Sequence, residues 1–273
     1  MIFVKGNSSP SPGVHTGIVK FADLKLSLPA FLMAISIPAA VSGTTCESLS
    51  SLKLKYATVA AQSVPAGAFA VPGTRSRVKT TVAFCRVALT LKPSTDSDIK
   101  VEVWLPSTGW NGKFQGMGNG GFAGTIDYQE LAMAVSKGYS AAATDTGHND
   151  ADGTDARWAL NHPEKITDFG YRAIHETADR AKGVIRAFYG SAPKHSYFNS
   201  CSDGGREALM EAQRFPADYD GIVAGAPANS WTHLMTQLIY NMGRQVRPRA
   251  TFRRRSCRQS RTMRSTSAMR WMA

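Results

Sequence analysis

Between Phe169 and Tyr189, apolar residues recur at three- and four-residue steps. Ala173, Ile174, Thr177, Ala181, Val184, Ile185 and Phe188 fall on one side, and Arg172, Glu176, Asp179 and Lys182 lie largely off it. That period predicts an amphipathic helix with one buried face, ended by Gly190, a residue suited to a left-handed cap. Gln129–Lys137 predicts a second helix. The period drops to two in IKVEVWL, Ile99–Leu105, the pattern of a half-buried strand. Lys113–Met117 and Ser140–Thr144 read as further strands, and Asp218–Pro227 as a buried strand running into a loop. From Cys46 to Lys92, short extended segments alternate with turns at Pro65–Gly67 and Pro72–Gly73. Strand and helix alternate through the rest, which predicts an α/β fold with a mostly parallel sheet and helices on both faces.

The most specific stretch is HSYFNSCSDGGREALMEAQRFP, His195–Pro216. A β-prone run ends at Tyr197–Phe198, a polar turn is expected over Asn199–Gly205, and strong helix formers fill Arg206–Arg214 before Pro216 stops them. A serine at the apex of strand, turn and helix is the setting of a nucleophile elbow. Ser202 is the candidate nucleophile. Gly204 and Gly205 leave room for the helix to start close to the strand, and the amide of Asp203 would face the oxygen that becomes negative during acyl transfer. The alternative is a glycine turn with an incidental serine.

Upstream, the strand at Lys113 leads into Gly116-Met117-Gly118-Asn119-Gly120-Gly121. No GK[ST] follows, and the spacing is not the GxGxxG that opens a dinucleotide-binding helix. Asp145 and His148 fall at a strand's carboxyl end, where α/β sites lie. His148 precedes Ser202, against the order serine, acid, histidine, and reads as a structural or rim residue. His175 reads as a helix-surface residue. Asp150, Asp152 and Asp155 lack EF-hand spacing and read as a solvated acidic loop.

CSDGGRE followed by FPADYDGIVAGAPANSW resembles the tannase/feruloyl esterase family of secreted α/β-hydrolases. Similar strings stand at 104–124 (WLPSTGWNGKFQGMGNGGFAG), 142–150 (AATDTGHND) and 169–190 (FGYRAIHETADRAKGVIRAFYG), so the resemblance runs from about Cys46 to Asn241. One departure is Ser200, where the family usually carries glycine; a β-carbon there crowds the turn. The resemblance implies an α/β-hydrolase fold, a second oxyanion donor at Gly120 or Gly121, and a disulfide between Cys46 and Cys85, for which the alternative is two buried thiols. In the family, the cysteine before the nucleophile bonds to one beside the catalytic histidine; here Cys201 has no His-Cys partner, and Cys257 is not accepted as one. The resemblance also places the acid, the base, the lid and a calcium site after the elbow, in sequence this chain does not carry. No cofactor is expected.

A chain of 273 residues, 43% hydrophobic, suffices for one α/β domain. Its net charge of +12 is local: Arg244–Ala273 holds ten arginines and no acid, and the rest has 22 basic against 20 acidic residues. That tail reads either as an arginine-rich arm or as translation of a shifted frame, the second being favoured, and should be disordered. At the other end, Lys20 and Lys25 precede LSLPAFLMAISIPAAVSG, 26–43, which reads as a secretory signal cleaved near 40–45. Residues 1–19 are expected to fold into nothing. The predicted organisation is therefore preamble and signal over 1–43, a partial catalytic domain over 44–241, and a tail over 242–273. The functional expectation is a secreted or periplasmic serine esterase for small aromatic (phenolic) acid esters. It binds neither nucleic acid nor, after signal removal, membrane, and it is defective as written for want of acid and base. The alternative is an exported non-catalytic binding module whose basic arm holds anionic polymer.

Overall fold

A computed structural model describes residues 2–5, 44–150 and 153–245; the expected signal at 26–43 and most of the arginine tail lie outside the described residues. Its centre is an eight-stranded mixed sheet in the order β1-β10-β9-β7-β8-β6-β5-β2. These strands are β1 (Ile2–Lys5), β2 (Ala57–Val64), β5 (Phe84–Leu91), β6 (Ile99–Pro106), β7 (Lys113–Gly116), β8 (Ser140–Thr144), β9 (His195–Cys201) and β10 (Gly221–Gly225). The strands β8, β7, β9 and β10 run parallel, and β6, β5 and β2 extend the sheet antiparallel on one flank. A small antiparallel pair, β3 (Gly67–Ala70) and β4 (Arg77–Thr80), stands apart.

Helices cover both faces, as the alternation of elements predicts. Helix α1 (Tyr128–Ser136) packs with β3 and β4 on one side, over Phe84, Trp104, Met117, Ala141 and Ala143. Helices α3 (Ala173–Tyr189) and α4 (Asp203–Arg214) cover the other, over Val101, Val103, Leu105, Ala142 and Phe198. The expected face of α3 is the buried one: Ala173, Ile174, Thr177, Ala181, Val184 and Ile185 are all buried, and Gly190 caps the helix at φ 72°. A short helix α2 (Pro163–Thr167) and a π-helical turn, Asp168–Arg172, lead into it.

Strand β6 departs from the half-buried expectation. Besides Ile99, Val101, Val103 and Leu105, its other face buries Glu102 and Trp104. Charge makes this possible: Arg86 from β5 pairs with Glu102 (Nε to Oε2 2.9 Å), and Trp104 Nε1 and Tyr128 Oη donate to the same carboxylate at 3.0 and 3.2 Å. A buried carboxylate so supplied with donors is tolerated.

The preamble expectation fails at its start. Ile2–Lys5 is a strand, antiparallel to β10 with Phe3 opposite Val223. Ile-Phe-Val has high β-propensity, and the outer edge of β10 offers unpaired backbone groups. The segment from 228 onward forms a second unit. In it, α5 (Trp231–Gln245) extends past the expected tail boundary at 242. Leu234, Leu238, Ile239, Tyr240 and Met242 are exposed on it. Among the described residues no helix is long and apolar enough to cross a membrane.

Candidate active site

The sheet order places the site. From β7 the chain crosses through α1 to β8 on one side; from β8 it returns through α3, past β7, to β9 on the other. The loops leaving the carboxyl ends of β7 and β9 therefore flank a topological switch point, where α/β folds bind ligands. Those loops are the glycine stretch and the elbow.

The elbow is tighter than its sequence suggested. Strand β9 continues to Cys201 and α4 begins at Asp203, so the whole turn is Ser202, at φ 63°, ψ −118°. A non-glycine residue there is strained by roughly 1–3 kcal/mol and must be held by its surroundings. Here its N–H donates to the Gly225 carbonyl at 3.0 Å, and its carbonyl accepts from Gly205 and Arg206 at 3.1 and 3.2 Å. Ser202 is exposed. The expected helix start at Arg206 is corrected to Asp203. Glycine's low helix propensity masks the first turn, where the reason for glycine is proximity: a β-carbon on Gly205 would lie 2.3 Å from the Gly225 carbonyl oxygen.

The crowding expected at Ser200 is real and is accommodated. Its hydroxyl occupies the place where a side chain on Gly204 would begin, 1.9 Å from an ideal β-carbon there.

Asp203 is fully buried at the first turn of α4. Arg206 grips it with two hydrogen bonds (2.6 and 3.1 Å) and donates onward to the carbonyls of Gly170 and Phe169 at 3.0 and 3.1 Å. Burial pushes the Asp203 carboxyl above its usual range in spite of this partner. The backbone amide of Asp203 belongs to the first turn, whose amides have no intrahelical acceptor.

Of the two glycines expected to offer a second amide, the structure separates the parts played. Gly120 borders a cleft of about 400 Å³ beside the elbow, together with Asn119, Thr125, Glu130, Ser200 and Cys201. Gly121, at φ 61°, turns the loop and abuts the carbonyl of Gly153, 2.2 Å from where its own β-carbon would be. The loop is tied to α4 by Asn119: its N–H and Nδ2 donate to Glu207 at 2.9 and 3.2 Å, and its carbonyl accepts from Gly204 at 2.7 Å. Neither Asn119 nor Glu207 stands out in the sequence. The one available signal is a charged residue one turn into a helix whose first turn holds two glycines.

His148 is buried, donates from Nε2 to the Phe122 carbonyl at 2.7 Å and stacks on Trp158 at 3.9 Å; burial lowers its pKa. Those contacts fit a structural residue. His175 differs from the surface reading. It is half-buried, stacks on Phe215 and donates from Nδ1 to Asp218 at 2.6 Å, a bond that raises its pKa. Cys46 and Cys85 are disulfide-bonded, as the resemblance implied, and Cys201 is a free, exposed thiol. Among the described residues no group of three or more His, Cys, Asp or Glu is gathered for a metal ion.

A mixed sheet with a strained, exposed serine between strand and helix at its switch point defines an α/β-hydrolase. Residues 85–252 match the family described as "Tannase and feruloyl esterase", and the chain belongs to that family. It is 44% identical over 195 residues to an uncharacterized esterase of Xanthomonas campestris, covering 71% of this chain and 34% of that protein. It is 41% identical over 162 residues to a protein of Aspergillus fumigatus named "Probable feruloyl esterase B-1", covering 59% and 30%. Among solved structures, feruloyl esterase B from Aspergillus oryzae aligns at 36% identity and TM-score 0.63, over 67% of this chain and 36% of that one. Tannin acyl hydrolase from Aspergillus niger aligns at 27% and 0.54, over 68% and 36%. The chain thus spans about a third of the length of these relatives.

Proposed function

We propose that the chain carries the nucleophile half of a serine carboxylic ester hydrolase for aromatic acid esters, and that Ser202 forms the acyl-enzyme. The observation that carries the reading is the Ser202 backbone, held at φ 63° with its residue exposed where β9 meets α4. The Ser202 hydroxyl adds to the ester carbonyl and gives up its proton to solvent, which returns one to the departing alkoxide. The amides of Asp203 and Gly120 receive the oxyanion, the alcohol leaves, and water then hydrolyses the acyl group. Family membership and the names of the relatives favour phenolic acyl groups. The cleft suits them: Thr125, Asp127 and Glu130 line it and offer acceptors for phenolic hydroxyls.

A serine hydroxyl is a weak nucleophile without a base. After Ser202 the sequence offers one histidine, His233, in the second unit, with no acid assigned to it. Without a base, oxyanion contacts and binding alone supply on the order of 10³–10⁴-fold over water. Export is part of the proposal: it rests on residues 26–43 and is supported by the Cys46–Cys85 disulfide, which suits an oxidising compartment. Incubation with a fluorophosphonate probe tests the reading. The expected result is covalent labelling, however slow, mapped to Ser202 and lost in Ser202→Ala. Equal labelling of the Ser202→Ala protein would defeat it.

A further inference from the structure

The glycine loop after β7 has few side chains with which to anchor itself. Gly118, Gly120 and Gly121 contribute none, and a loop of that composition is mobile unless its backbone is tied elsewhere. The tie is Asn119. It is buried, and its N–H, its carbonyl and its side-chain amide are all bonded to α4, two of the three to the carboxylate of Glu207. Glu207 is itself buried and fills the space beside Gly118, where a β-carbon would lie 2.3 Å from Oε2. Its nearest cation, Arg206, makes only a long ion pair at 3.9 Å, its guanidinium being engaged by Asp203 and two carbonyls. A residue with only a packing duty here would be apolar. A buried carboxylate costs free energy that its donors must offset, and its donors are those of the loop.

We infer that Glu207 is a positioning residue for the oxyanion site: through Asn119 it locks the glycine loop to α4, so that the amides of Gly120 and Asp203 converge on one point. This rests on reading Ser202 as the nucleophile. The two amides come from segments more than 80 positions apart in sequence, and Asn119 directly precedes Gly120. Glu207 lies one helical turn beyond Asp203, so one carboxylate fixes the spacing between both donors. Protonation weakens the lock, because a neutral carboxyl offers poorer acceptance to two N–H groups. Burial first, and then Asp203, push the Glu207 pKa up to about 7. The charged or titratable groups facing it are Asp203, Arg206 and Glu211 on α4 and Tyr219 ahead of β10.

The test uses the full chain. Hydrogen–deuterium exchange of the 116–122 segment, corrected for intrinsic rates, is followed from pH 5.5 to 8.5 in wild type and in Glu207→Gln, with Ser202 phosphonylation measured in parallel. Wild type should show a step in loop protection near neutrality. Glu207→Gln should abolish the step, speed loop exchange about tenfold and slow Ser202 labelling by up to about 100-fold, the cost of a misplaced donor. Alkylation of the neighbouring Cys201 thiol should continue unchanged, reporting an intact elbow. Failure of wild-type Ser202 to label overturns the nucleophile reading. Wild-type labelling that Glu207→Gln leaves intact, or wild-type loop protection that is flat with pH, overturns this inference alone.

Discussion

Ser200 and Gly204 share one space. A β-carbon on Gly204 would lie 1.9 Å from the Ser200 hydroxyl oxygen and 2.5 Å from its Cβ. Rotating the hydroxyl away relieves the first contact but not the second, because Cβ is fixed to the backbone. The pair predicts strong coupling. Gly204→Ala should destabilise the fold by about 3 kcal/mol, the upper range for overpacking. Ser200→Gly, placing glycine inside a strand, should cost about 0.5–1 kcal/mol. The double variant should be more stable than Gly204→Ala alone, with an interaction of at least about 1.5 kcal/mol. Urea denaturation of the four proteins measures this cycle; additivity would show that the two residues do not compete.

The disulfide between Cys46 and Cys85 closes a loop of 39 residues and pins the described amino-terminal segment to β5. Both half-cystines are buried. By the chain-entropy account a loop of this length stabilises by about 4 kcal/mol. Reduction under native conditions, or a double Cys→Ser variant, should lower the melting temperature by roughly 10 °C. Scanning fluorimetry with and without reductant is sufficient; an unchanged transition would mean that β2 and β5 hold this region without it.

Much of this arrangement was legible in the residues, for physical reasons. Helix α3 declared its buried face because a 3.6-residue period sustained over 17 residues fits neither a strand nor a loop. The elbow declared itself because serine, two glycines and a run of helix formers stand in the required order. What escaped depended on partners distant in sequence. Glu102 reads as the solvent side of a strand until Arg86, Trp104 and Tyr128 converge on it. Glu207 is one helix former among several until Asn119, 88 residues earlier, is found on it. The limits of β9 and α4 escaped because two glycines lower helix propensity just where close packing demands them. The strand Ile2–Lys5 escaped altogether, because four residues ahead of a polar stretch declare no element until the edge of β10 pairs with them.

Buried carboxyls set the pH dependence of the fold, Asp203 among them and three others with the largest displacements. Burial raises Asp145 and Glu207 to about 7 and Glu211 to about 9, with help from Asp203 at Glu207 and from Asp218 at Glu211. In the unfolded chain these groups titrate near 4, so between their unfolded and folded values the native state binds more protons than the unfolded one. Their contribution is fully present below about pH 4 and is lost as pH rises, through about 7 for two of them and about 9 for the third. His175, raised by Asp218, acts in the same direction: its contribution holds below its ordinary value and fades above the raised one. His148, lowered by burial, acts in the opposite direction and destabilises the fold as pH drops below the ordinary histidine value. Three carboxyls outweigh one imidazole, at about 1.4 kcal/mol per pH unit for each proton in play. The melting temperature should therefore be at least about 5 °C lower at pH 8.5 than at pH 5.5. Replacing Glu211 by glutamine should flatten the alkaline limb, because that side chain is fully buried and has the highest pKa of the three. Melting curves at constant ionic strength across this range decide the matter; a melting temperature that rises with pH would show that these carboxyls are ionised in the native protein.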